Sequence, residues 1–542
     1  AAASLRQAAA NDAVQLPTSF SLERAQRGSS NAALTAARYH SAVDGRRGRL
    51  LWEEFEACVD STGSEVLGKG TNVEVVAIRR RCSNRKYALK SFSKGQMSQE
   101  ELGLLMNEVE VYLGLDHPHI ARLEAVYETD EEMHLVMECC QGGELYTRLV
   151  KAGQFSEFQA ASASRQVLRV LGYLHDRKVA HRDLKLENLL YQGTGPDSPL
   201  KLVDFGLAWA WDSEAPMMQR CCGSPEYVAP EILLQQGYTS QCDLWSLGVV
   251  TFMLLVGFAP FPPSKGQLQQ IRAGKIYWGE GREEYAARWA KVSPEAVDFV
   301  KRLLTVDPNE RLSAQQAIFH PWLLRTLGNP VQIPTLDAKV LRSLQLYAGA
   351  PRVRRACLQL LAQRQPIEET SGLAVAFLGL DLGNEGVIRV RDLRSALCGQ
   401  RAAPSALDAL LDAIDALVEG TGVHYSEFLA ACMAQAISQE GARAVFAGLD
   451  WAGKGFIDAG DVEEALGPVV LEGVPGGAAE LLREADLTGE FAATGTIGFQ
   501  GFLRILAGPT SAPMETMVRR SSWALFAAAK AVLLGVPVEA AG

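Results

Sequence analysis

Apolar and acidic residues recur at a nearly constant spacing in the last third of the chain. Four aspartates follow one another at intervals of 34, 35 and 36 residues: Asp381, Asp415, Asp450 and Asp486. An apolar residue stands four positions before each of them: Phe377, Leu411, Phe446 and Leu482. A β-forming apolar residue follows each of them: Ile388, Val423, Ile457 and Ile497. This period predicts four repeats of a helix, an acidic loop, a short strand and a second helix.

The remainder of the chain has no such period. A helical pattern runs from Leu102 to Leu115, and the apolar run 135–140 predicts a buried strand. Amphipathic runs at 340–346 and 356–362 predict linking helices. Residues 1–60 are rich in Ala, Ser and Arg with weak periodicity, which predicts a disordered extension. The predicted division is an extension (1–60), a first domain (61–324), a junction with an autoinhibitory role (325–370), the four repeats (371–507) and a tail (508–542).

One stretch of the first domain carries recognisable chemistry. Residues 181–188 read His-Arg-Asp-Leu-Lys-Leu-Glu-Asn, and Asp204-Phe-Gly follows sixteen residues later. Lys90 ends the run Tyr-Ala-Leu-Lys well upstream. Phosphoryl transfer from ATP needs positioning and charge neutralisation more than covalent help. This need is met by a carboxylate that orients the attacking hydroxyl, by lysines that bind the phosphates and by oxygen ligands that bind Mg²⁺.

This order of motifs, completed by Ala229-Pro230-Glu231, resembles the eukaryotic protein kinase signature. The resemblance implies that Asp183 orients the hydroxyl, Lys185 steadies the γ-phosphate, and Asn188 and Asp204 bind Mg²⁺. It also implies that Lys90 holds the α- and β-phosphates and pairs with Glu108, which lies nine residues before His117-Pro118. Lys185 favours Ser/Thr over Tyr substrates, and Glu231 is expected to form a buried ion pair with Arg311.

The nucleotide-binding residues implied by the resemblance come from three places. A glycine-rich hairpin and the segment after the strand 135–140 would contribute these positions: Leu67, Gly68, Gly70, Val75, Glu138, Cys140 and Glu144. The hairpin departs from the family at Asn72 and Val73, which puts catalytic efficiency in question. Glu144, Glu187 and Glu226 favour protein substrates with basic residues near the phosphorylated hydroxyl, although each also fits a solvated surface charge.

The activation segment, residues 207–228, has few hydroxyl groups before Tyr227. Only Ser213 and Ser224 are present, and the family resemblance implies that Ser224 contacts the catalytic loop. Asp212 and Glu214 flank Ser213 and could hold Arg182, because a carboxylate pairs with guanidinium much as a phosphate does. We therefore expect activity without phosphorylation of this segment.

The four repeats follow the EF-hand plan, and a Ser/Thr kinase followed by four such units resembles the calcium-dependent protein kinases. This resemblance covers about residues 62–506 and implies an α+β bilobal protein kinase fold followed by an all-α EF-hand domain. The calcium ligands are degenerate. Asp381, Glu385 and Asp392 could form a weak site in the first loop, whereas Lys454 places an ammonium group in the third. Calcium binding and four loops that bind no ion both remain open.

Composition and charge indicate which partners and which cellular location to expect. The net charge of −10 argues against a nucleic-acid partner, and ten scattered cysteines fit a reducing, cytoplasmic location. We expect a monomer, and the sequence does not decide membrane association. The alternative function is a catalytically weak kinase-fold scaffold or a calcium-independent regulator. Asn72 and Val73 favour this alternative, and the intact catalytic positions oppose it.

Overall fold

The computed structural model describes most of the chain between residues 39 and 508. The described ranges are 39–41, 52–53, 55–61, 65–69, 73–81, 84–211, 218, 222–235, 237–327, 338–363, 367–397, 422–434, 437–450, 453–466, 471 and 474–508. Leu411, Asp415, Gly70, Asn72 and the predicted tail from residue 509 lie outside these ranges. No helix in the described ranges is long and apolar enough to cross a membrane.

A twisted sheet forms the first lobe of the first domain. Its strands are β1 (Tyr39–Ser41), β2 (Val59–Asp60), β3 (Val66–Lys69), β4 (Val73–Arg80), β5 (Lys86–Ser93), β6 (Leu123–Glu128) and β7 (Glu132–Glu138). They lie in the order β1-β6-β7-β5-β4-β2, with β3 paired to β4. All pairings are antiparallel except that of β1 with β6. The strand predicted from the apolar run 135–140 is therefore a central strand, β7.

Helix α1 (Gln99–Gly114) packs against this sheet and starts at a capping box. The Ser98 hydroxyl accepts the N–H of Glu101, and the Glu101 carboxylate accepts the N–H of Ser98. Buried residues such as Met106 and Val109 turn one face of the helix toward the core. The helical pattern in the sequence thus marks a helix whose start is fixed locally.

The second lobe of the first domain is mainly helical. Its helices are α2 (Leu145–Ala152), α3 (Glu157–Asp176), α4 (Pro230–Leu234), α5 (Gln241–Val256), α6 (Gln267–Arg272), α7 (Glu283–Trp289), α8 (Pro294–Leu303), α9 (Ala314–Ala317) and α10 (Pro321–Leu327). Short paired strands lie between α3 and α4: β8 (Val179–Ala180), β9 (Leu189–Tyr191), β10 (Leu200–Leu202) and β11 (Trp209–Ala210). Helix α5 is buried on all sides, as expected for the centre of a core.

The segment before the sheet corrects one expectation. Within the range predicted to be disordered, residues 52–60 pack on the outer face of the sheet, and β2 pairs with β4. Trp52 stacks on His134 with ring centroids 3.7 Å apart, and Phe55 stacks on Tyr127 at 5.0 Å. The prediction of disorder is therefore wrong for these residues. Two large aromatic side chains supply enough apolar area to order a short segment of otherwise weak pattern.

Within the described ranges, three of the four repeats show a helix, a loop, a short strand and a second helix, whereas the first helix and most of the loop of the second repeat lie outside these ranges. The repeats pair through their short strands. Their helices are α13 (Ile367–Leu380), α14 (Val390–Leu397), α15 (Tyr425–Met433), α16 (Gln439–Leu449), α17 (Ala459–Leu466), α18 (Gly477–Ala485), α19 (Glu490–Thr494) and α20 (Phe499–Ala507). Strand β12 (Val387–Ile388) pairs with β13 (Val423–His424), and β14 (Phe456–Ile457) pairs with β15 (Ile497–Gly498). We call residues 338–508 the C-terminal helical domain, and its units 1 to 4 follow chain order.

The junction forms helices that belong to this domain. They are α11 (Ala338–Ala348) and α12 (Arg352–Gln363). Leu344, Tyr347, Val353 and Leu361 are buried in the same apolar core as the four units. The described part of the junction is therefore part of the C-terminal helical domain, and its autoinhibitory role stays a prediction.

Candidate active site

The predicted lysine–glutamate pair is present. Strand β5 carries Lys90 and helix α1 carries Glu108, and Lys90 Nζ lies 2.7 Å from Glu108 Oε1. Burial alone would lower the pKa of Lys90, but the charges of Glu108 and Asp204 outweigh it and raise that pKa above its ordinary value. Lys90 therefore presents a positive charge at the mouth of the cleft between the lobes.

Asp204 lies on the opposite side of Lys90. Its Oδ1 is 3.3 Å from Lys90 Nζ, and 47% of its side chain is exposed to the cleft. The residue has a φ of +64°, a conformation that costs a non-glycine residue on the order of 1–3 kcal/mol. Burial raises the pKa of Asp204, but Lys90 and His181 offset this effect, so that the pKa is lowered overall. An ionised, partly exposed carboxylate suits a divalent cation.

The catalytic loop brings Asp183, Lys185 and Asn188 together. Lys185 Nζ lies 2.5 Å from Asp183 Oδ2, and the Asn188 amide donates to Asp183 Oδ2 at 3.3 Å and to the Asp183 carbonyl at 2.9 Å. With its N–H groups used in this way, Asn188 keeps its carbonyl oxygen as an acceptor. Ser224 donates its hydroxyl to Asp183 Oδ1 at 2.8 Å, so it contacts the catalytic loop as the family resemblance implied.

A buried carboxylate on a helix of the second lobe fixes this loop. Asp243, on helix α5, accepts the main-chain N–H groups of His181 at 3.0 Å and Arg182 at 2.9 Å. It also lies 2.9 Å from His175 Nε2. The signal available in the sequence is an acidic residue at the start of an otherwise apolar helix, because such a residue is buried only if it is satisfied.

Arg182 is held by neutral groups. Its Nε donates to the Leu207 carbonyl at 2.6 Å and its Nη1 to the Tyr238 hydroxyl at 3.1 Å. The guanidinium also lies 5.5 Å from the ring of Trp209, within the range of a cation–π contact. Asp212, Ser213 and Glu214, which we predicted to act on Arg182, lie outside the described residues. These contacts hold Arg182 without a phosphate.

Replacing Ser213 by Ala is therefore expected to leave peptide phosphorylation within about twofold of wild type, because the described side-chain contacts of Arg182 come from other residues. The measurement is steady-state phosphorylation of a basic serine peptide by both proteins. Loss of most of the activity in the Ser213→Ala protein would show that a phosphate at Ser213 is needed.

The predicted nucleotide-binding positions lie on the β3–β4 hairpin and around the connection between the two lobes. Gly68 pairs with Val75 across the β3–β4 hairpin, and Leu67 lies beside them. Glu138 and Cys140 lie at the end of β7, where the chain passes from one lobe to the other. Glu144 immediately precedes helix α2. Val75 pairs with Lys90 across β4 and β5, which places the hairpin next to the lysine–glutamate pair, whereas Gly70 lies outside the described ranges.

The Glu138 side chain has a structural role that the sequence did not indicate. Its carboxylate accepts the N–H of Arg122 at 3.0 Å, the amide of Gln192 at 2.8 Å and the ammonium of Lys201 at 3.1 Å. Burial raises the pKa of Glu138, but Lys201 and Arg122 offset this effect and lower the pKa overall. The network ties the connection between the lobes to the second lobe.

The expected buried ion pair is present. Arg311 donates to Glu231 through Nη1 at 2.7 Å and through Nη2 at 3.0 Å. The Arg311 side chain is 0% exposed and that of Glu231 is 8% exposed. The pair fastens the end of the activation segment to the second lobe.

The first loop of the C-terminal helical domain uses its carboxylates internally. Glu385 pairs with Arg389 and, at 2.7 Å, with Arg391. Asp381 accepts the N–H groups of Glu385 and Gly386, and burial raises the pKa of Asp381 to about 7. In the described ranges no three acidic, histidine or cysteine residues are placed to hold a metal ion. The carboxylates of Asp381 and Glu385 are thus engaged within the loop, and calcium binding by Asp381, Glu385 and Asp392 stays a prediction.

The third loop holds an ammonium group. Lys454 Nζ lies 2.7 and 2.9 Å from the carboxylate oxygens of Asp461 and 2.6 Å from Asp458 Oδ2. These hydrogen bonds raise the pKa of Lys454. Asp450 accepts the N–H groups of Lys454 and Gly455, which closes the loop around its first residue.

The fourth loop is closed by a residue that the sequence did not single out. Glu490 Oε1 accepts the N–H of Gly498 at 2.7 Å. A Cβ atom on Gly501 would lie 2.3 Å from Glu490 Oε2, so the carboxylate fills the space beside this glycine. Glu490 comes from helix α19, within the extra residues of the long fourth loop.

Comparison with known proteins gives the class of the first domain. The protein kinase domain family matches residues 62–323. Together with the cleft described above, the match identifies a protein serine/threonine kinase that binds ATP and transfers a phosphoryl group to protein.

Relatives extend the comparison into the C-terminal helical domain. Calcium-dependent protein kinase 3 of Plasmodium yoelii yoelii is 34% identical over 374 residues, which are 68% of this chain and 67% of the relative. Calcium-dependent protein kinase 33 of Arabidopsis thaliana is 32% identical over 414 residues, 75% and 77% of the two chains. Human calcium/calmodulin-dependent protein kinase type IV is 37% identical over 301 residues, 55% and 60%. The chain belongs to the calcium-dependent protein kinase family.

Proposed function

We propose that this kinase phosphorylates serine or threonine in basic protein segments and that it does so without requiring calcium. The C-terminal helical domain is then an EF-hand domain whose loops bind calcium weakly or not at all. The observation that carries the proposal is the Lys454 ammonium group, held by Asp458 and Asp461 in the third loop.

The site fits ATP and Mg²⁺, because the charged Lys90 lies 3.3 Å from the ionised Asp204 carboxylate and the hydrogen bonds of Asn188 leave its amide oxygen as an acceptor. Bound ATP supplies the phosphoryl group, and Mg²⁺ supplies neutralisation of phosphate charge. Asp204 and Asn188 would bind the cation. Lys90, oriented by Glu108, would hold the α- and β-phosphates.

Asp183 and Lys185 act on the reacting groups. Asp183 orients the substrate hydroxyl and accepts its proton, and its position is held by Ser224 and Asn188. Lys185 neutralises charge on the transferring phosphoryl group. In a site that excludes water, an ammonium group stabilises such charge more strongly than it does in water.

Three acidic residues support a preference for basic substrates. Glu144 precedes helix α2 at the edge of the cleft, while Glu187 and Glu226 lie near the catalytic loop. The Tyr227 hydroxyl donates to Glu187 at 3.5 Å, which orients this carboxylate weakly and leaves it able to accept from a substrate. Basic side chains next to the phosphorylated residue would pair with these groups.

In the third loop, a tethered ammonium group satisfies the carboxylates that a calcium ion would otherwise bind. The family plan has an oxygen ligand at the position of Lys454. We therefore expect the wild-type protein to bind no calcium in this loop and the Lys454→Asp protein to gain a weak site. Calcium titration by isothermal calorimetry on the full chain measures the difference.

The matched control is Lys454→Met, which removes the ammonium group without adding a ligand. If calcium binds to the Lys454→Asp protein and not to the Lys454→Met protein, the result supports the proposal that the Lys454 ammonium group takes the place of a calcium ion. Calcium bound equally by wild type and by Lys454→Asp would contradict it.

A further inference from the structure

The segment that joins the two lobes lies directly against strand β9, and we call this segment, residues 139–144, the lobe connection. Gly142 donates its N–H to the Tyr191 carbonyl at 2.9 Å, and the Tyr191 N–H donates to the Gly143 carbonyl at 2.9 Å. A Cβ atom on Gly142 would lie 2.1 Å from the carbonyl oxygen of Gly193. The two segments are therefore too close together for a side chain at residue 142.

Strands β9 and β10 lead to the two proposed Mg²⁺ ligands. Asn188 immediately precedes β9, and Asp204 follows the end of β10 by two residues. The strands are antiparallel, with Lys201 of β10 opposite Leu190 of β9. The distance from the lobe connection to both ligands therefore depends on how this pair of strands is attached to the connection.

The Glu138 carboxylate attaches the strands from the buried side. Its Oε2 accepts the main-chain N–H of Arg122 at 3.0 Å and the ammonium of Lys201 at 3.1 Å. Its Oε1 accepts the side-chain amide of Gln192, directly after β9, at 2.8 Å. The Glu138 side chain is 2% exposed and that of Lys201 is 8% exposed. A buried charge with these partners has one favourable position, because losing any of them is costly.

The main chain brings the same segments together. The N–H of Glu138 donates to the Arg122 carbonyl at 2.8 Å. The N–H of Leu202 donates to the His119 carbonyl at 2.8 Å, and the N–H of Ala121 donates to the Leu202 carbonyl at 3.0 Å. The end of β7, the segment before β6 and the pair β9–β10 thus meet at one point. The Glu138 carboxylate lies at this point and binds all three.

The two ends of a bound ATP molecule would depend on this arrangement. Lys90, Asn188 and Asp204 would hold the phosphates, which leaves the predicted positions Glu138 and Cys140 for the adenosine part. A ligand that binds at two places gains affinity only when the spacing of the two places matches its own length. The attachment of the lobe connection to β9 and β10 sets that spacing.

We propose that Glu138 and Lys201 are positioning residues that fix the distance between the adenosine end and the Mg²⁺ end of the ATP site. This inference deepens the proposed function and rests on it, because it takes Asn188 and Asp204 as the Mg²⁺ ligands. The two side chains act through β7, β9 and β10, and neither contacts the nucleotide in this role.

The test uses the double variant Lys201→Met/Glu138→Gln in the full chain. Lys201→Met alone would leave a buried carboxylate without its cation, whereas the double variant leaves no unpaired charge buried and is expected to fold. The glutamine oxygen can still accept the N–H of Arg122, but the tie to β10 is absent. Isothermal calorimetry measures the Kd values of three ligands: adenosine, tripolyphosphate with Mg²⁺, and ATP with Mg²⁺.

Each partial ligand binds at one end of the site, so its Kd is expected to stay within about twofold of wild type in the double variant. ATP must reach both ends, and its Kd is expected to rise roughly 10–100-fold, because a misplacement of about 1 Å can cost 10²-fold. A residue that only stabilised the fold would not separate ATP from its two parts in this way.

The matched control is Lys94→Met. Lys94 forms a pair with Glu128 at 3.1 Å, with side chains that are 16% and 18% exposed. It follows Ser93, at the end of β5 opposite to Tyr87, which pairs with Glu138. The same chemical change there is expected to leave the Kd of all three ligands near wild type.

Two results would overturn the positioning role. The first is an unchanged Kd of ATP in the double variant. The second is an equal weakening of adenosine, tripolyphosphate and ATP, which would mean that the whole site is damaged. If the wild-type protein itself did not bind ATP with Mg²⁺, the proposed function would fail and this inference would fail with it.

Discussion

Replacing Asp183 by Asn is expected to lower kcat for peptide phosphorylation by roughly 10²–10⁴-fold, the usual contribution of a positioned general base. Asparagine has nearly the same shape and keeps one oxygen acceptor, whereas its NH2 group cannot accept at the position of the second carboxylate oxygen, so that one of the hydrogen bonds from Lys185 and Ser224 is lost. It carries no negative charge and cannot take the proton of the substrate hydroxyl. The fall should therefore appear in kcat, with the peptide KM nearly unchanged.

The matched control for this variant is Asp197→Asn. Asp197 is an exposed loop residue, so the same chemical change there should leave kcat near wild type. Equal unfolding temperatures of the two variants would exclude misfolding as the cause of a loss. If the Asp183→Asn protein kept more than a tenth of the wild-type kcat, Asp183 would not have the proposed role.

Replacing Arg311 by Met is expected to destabilise the kinase domain by about 3–5 kcal/mol. The change leaves the buried Glu231 carboxylate without its bidentate partner, and it also removes the hydrogen bond from Arg311 to the Gln241 carbonyl. For a domain of this size the loss corresponds to roughly 6–20 °C in unfolding temperature. Differential scanning calorimetry measures it, and the kinase-domain transition is the one that ATP with Mg²⁺ shifts upward.

The control here is Arg302→Gln, which breaks the exposed pair between Arg302 and Asp298, whose side chains are 58% and 51% exposed. An exposed pair of this kind contributes about 1 kcal/mol or less. A double variant, Arg311→Met with Glu231→Leu, should recover part of the loss, because no charge is then left buried. Equal effects of Arg311→Met and Arg302→Gln would mean that the buried pair does not stabilise the domain.

The positions brought together in the catalytic cleft could be predicted because each motif is local. Lys90 lies within a strand, Glu108 lies on a helix with a clear period, and Asp183 and Asn188 share one loop. The period of the four repeats predicted the later strands equally well, since Ile388, Ile457 and Ile497 are buried in paired strands. Short-range spacing thus carries most of the information on elements and motifs.

What the sequence did not reveal depends on contacts between distant residues. In the sequence, Asp116 is only a polar residue that follows a predicted helix, and the fold alone places its carboxylate next to the N–H of Ser426. Glu138 was expected only as a nucleotide-binding position, and nothing nearby in sequence indicates that its carboxylate contacts Lys201. Glu490 lies in what the spacing shows only as an overlong loop. Trp52 and Phe55 order a segment whose average composition predicted disorder.

The most direct test of a calcium-independent kinase is phosphorylation of a basic serine peptide by the full chain. The rate is measured with calcium chelated and with calcium present, and Asp204→Ala serves as the blank because it lacks a proposed Mg²⁺ ligand. The account predicts activity well above the blank and equal in both conditions. Activity that appears only with calcium, or none above the blank in either condition, would contradict it.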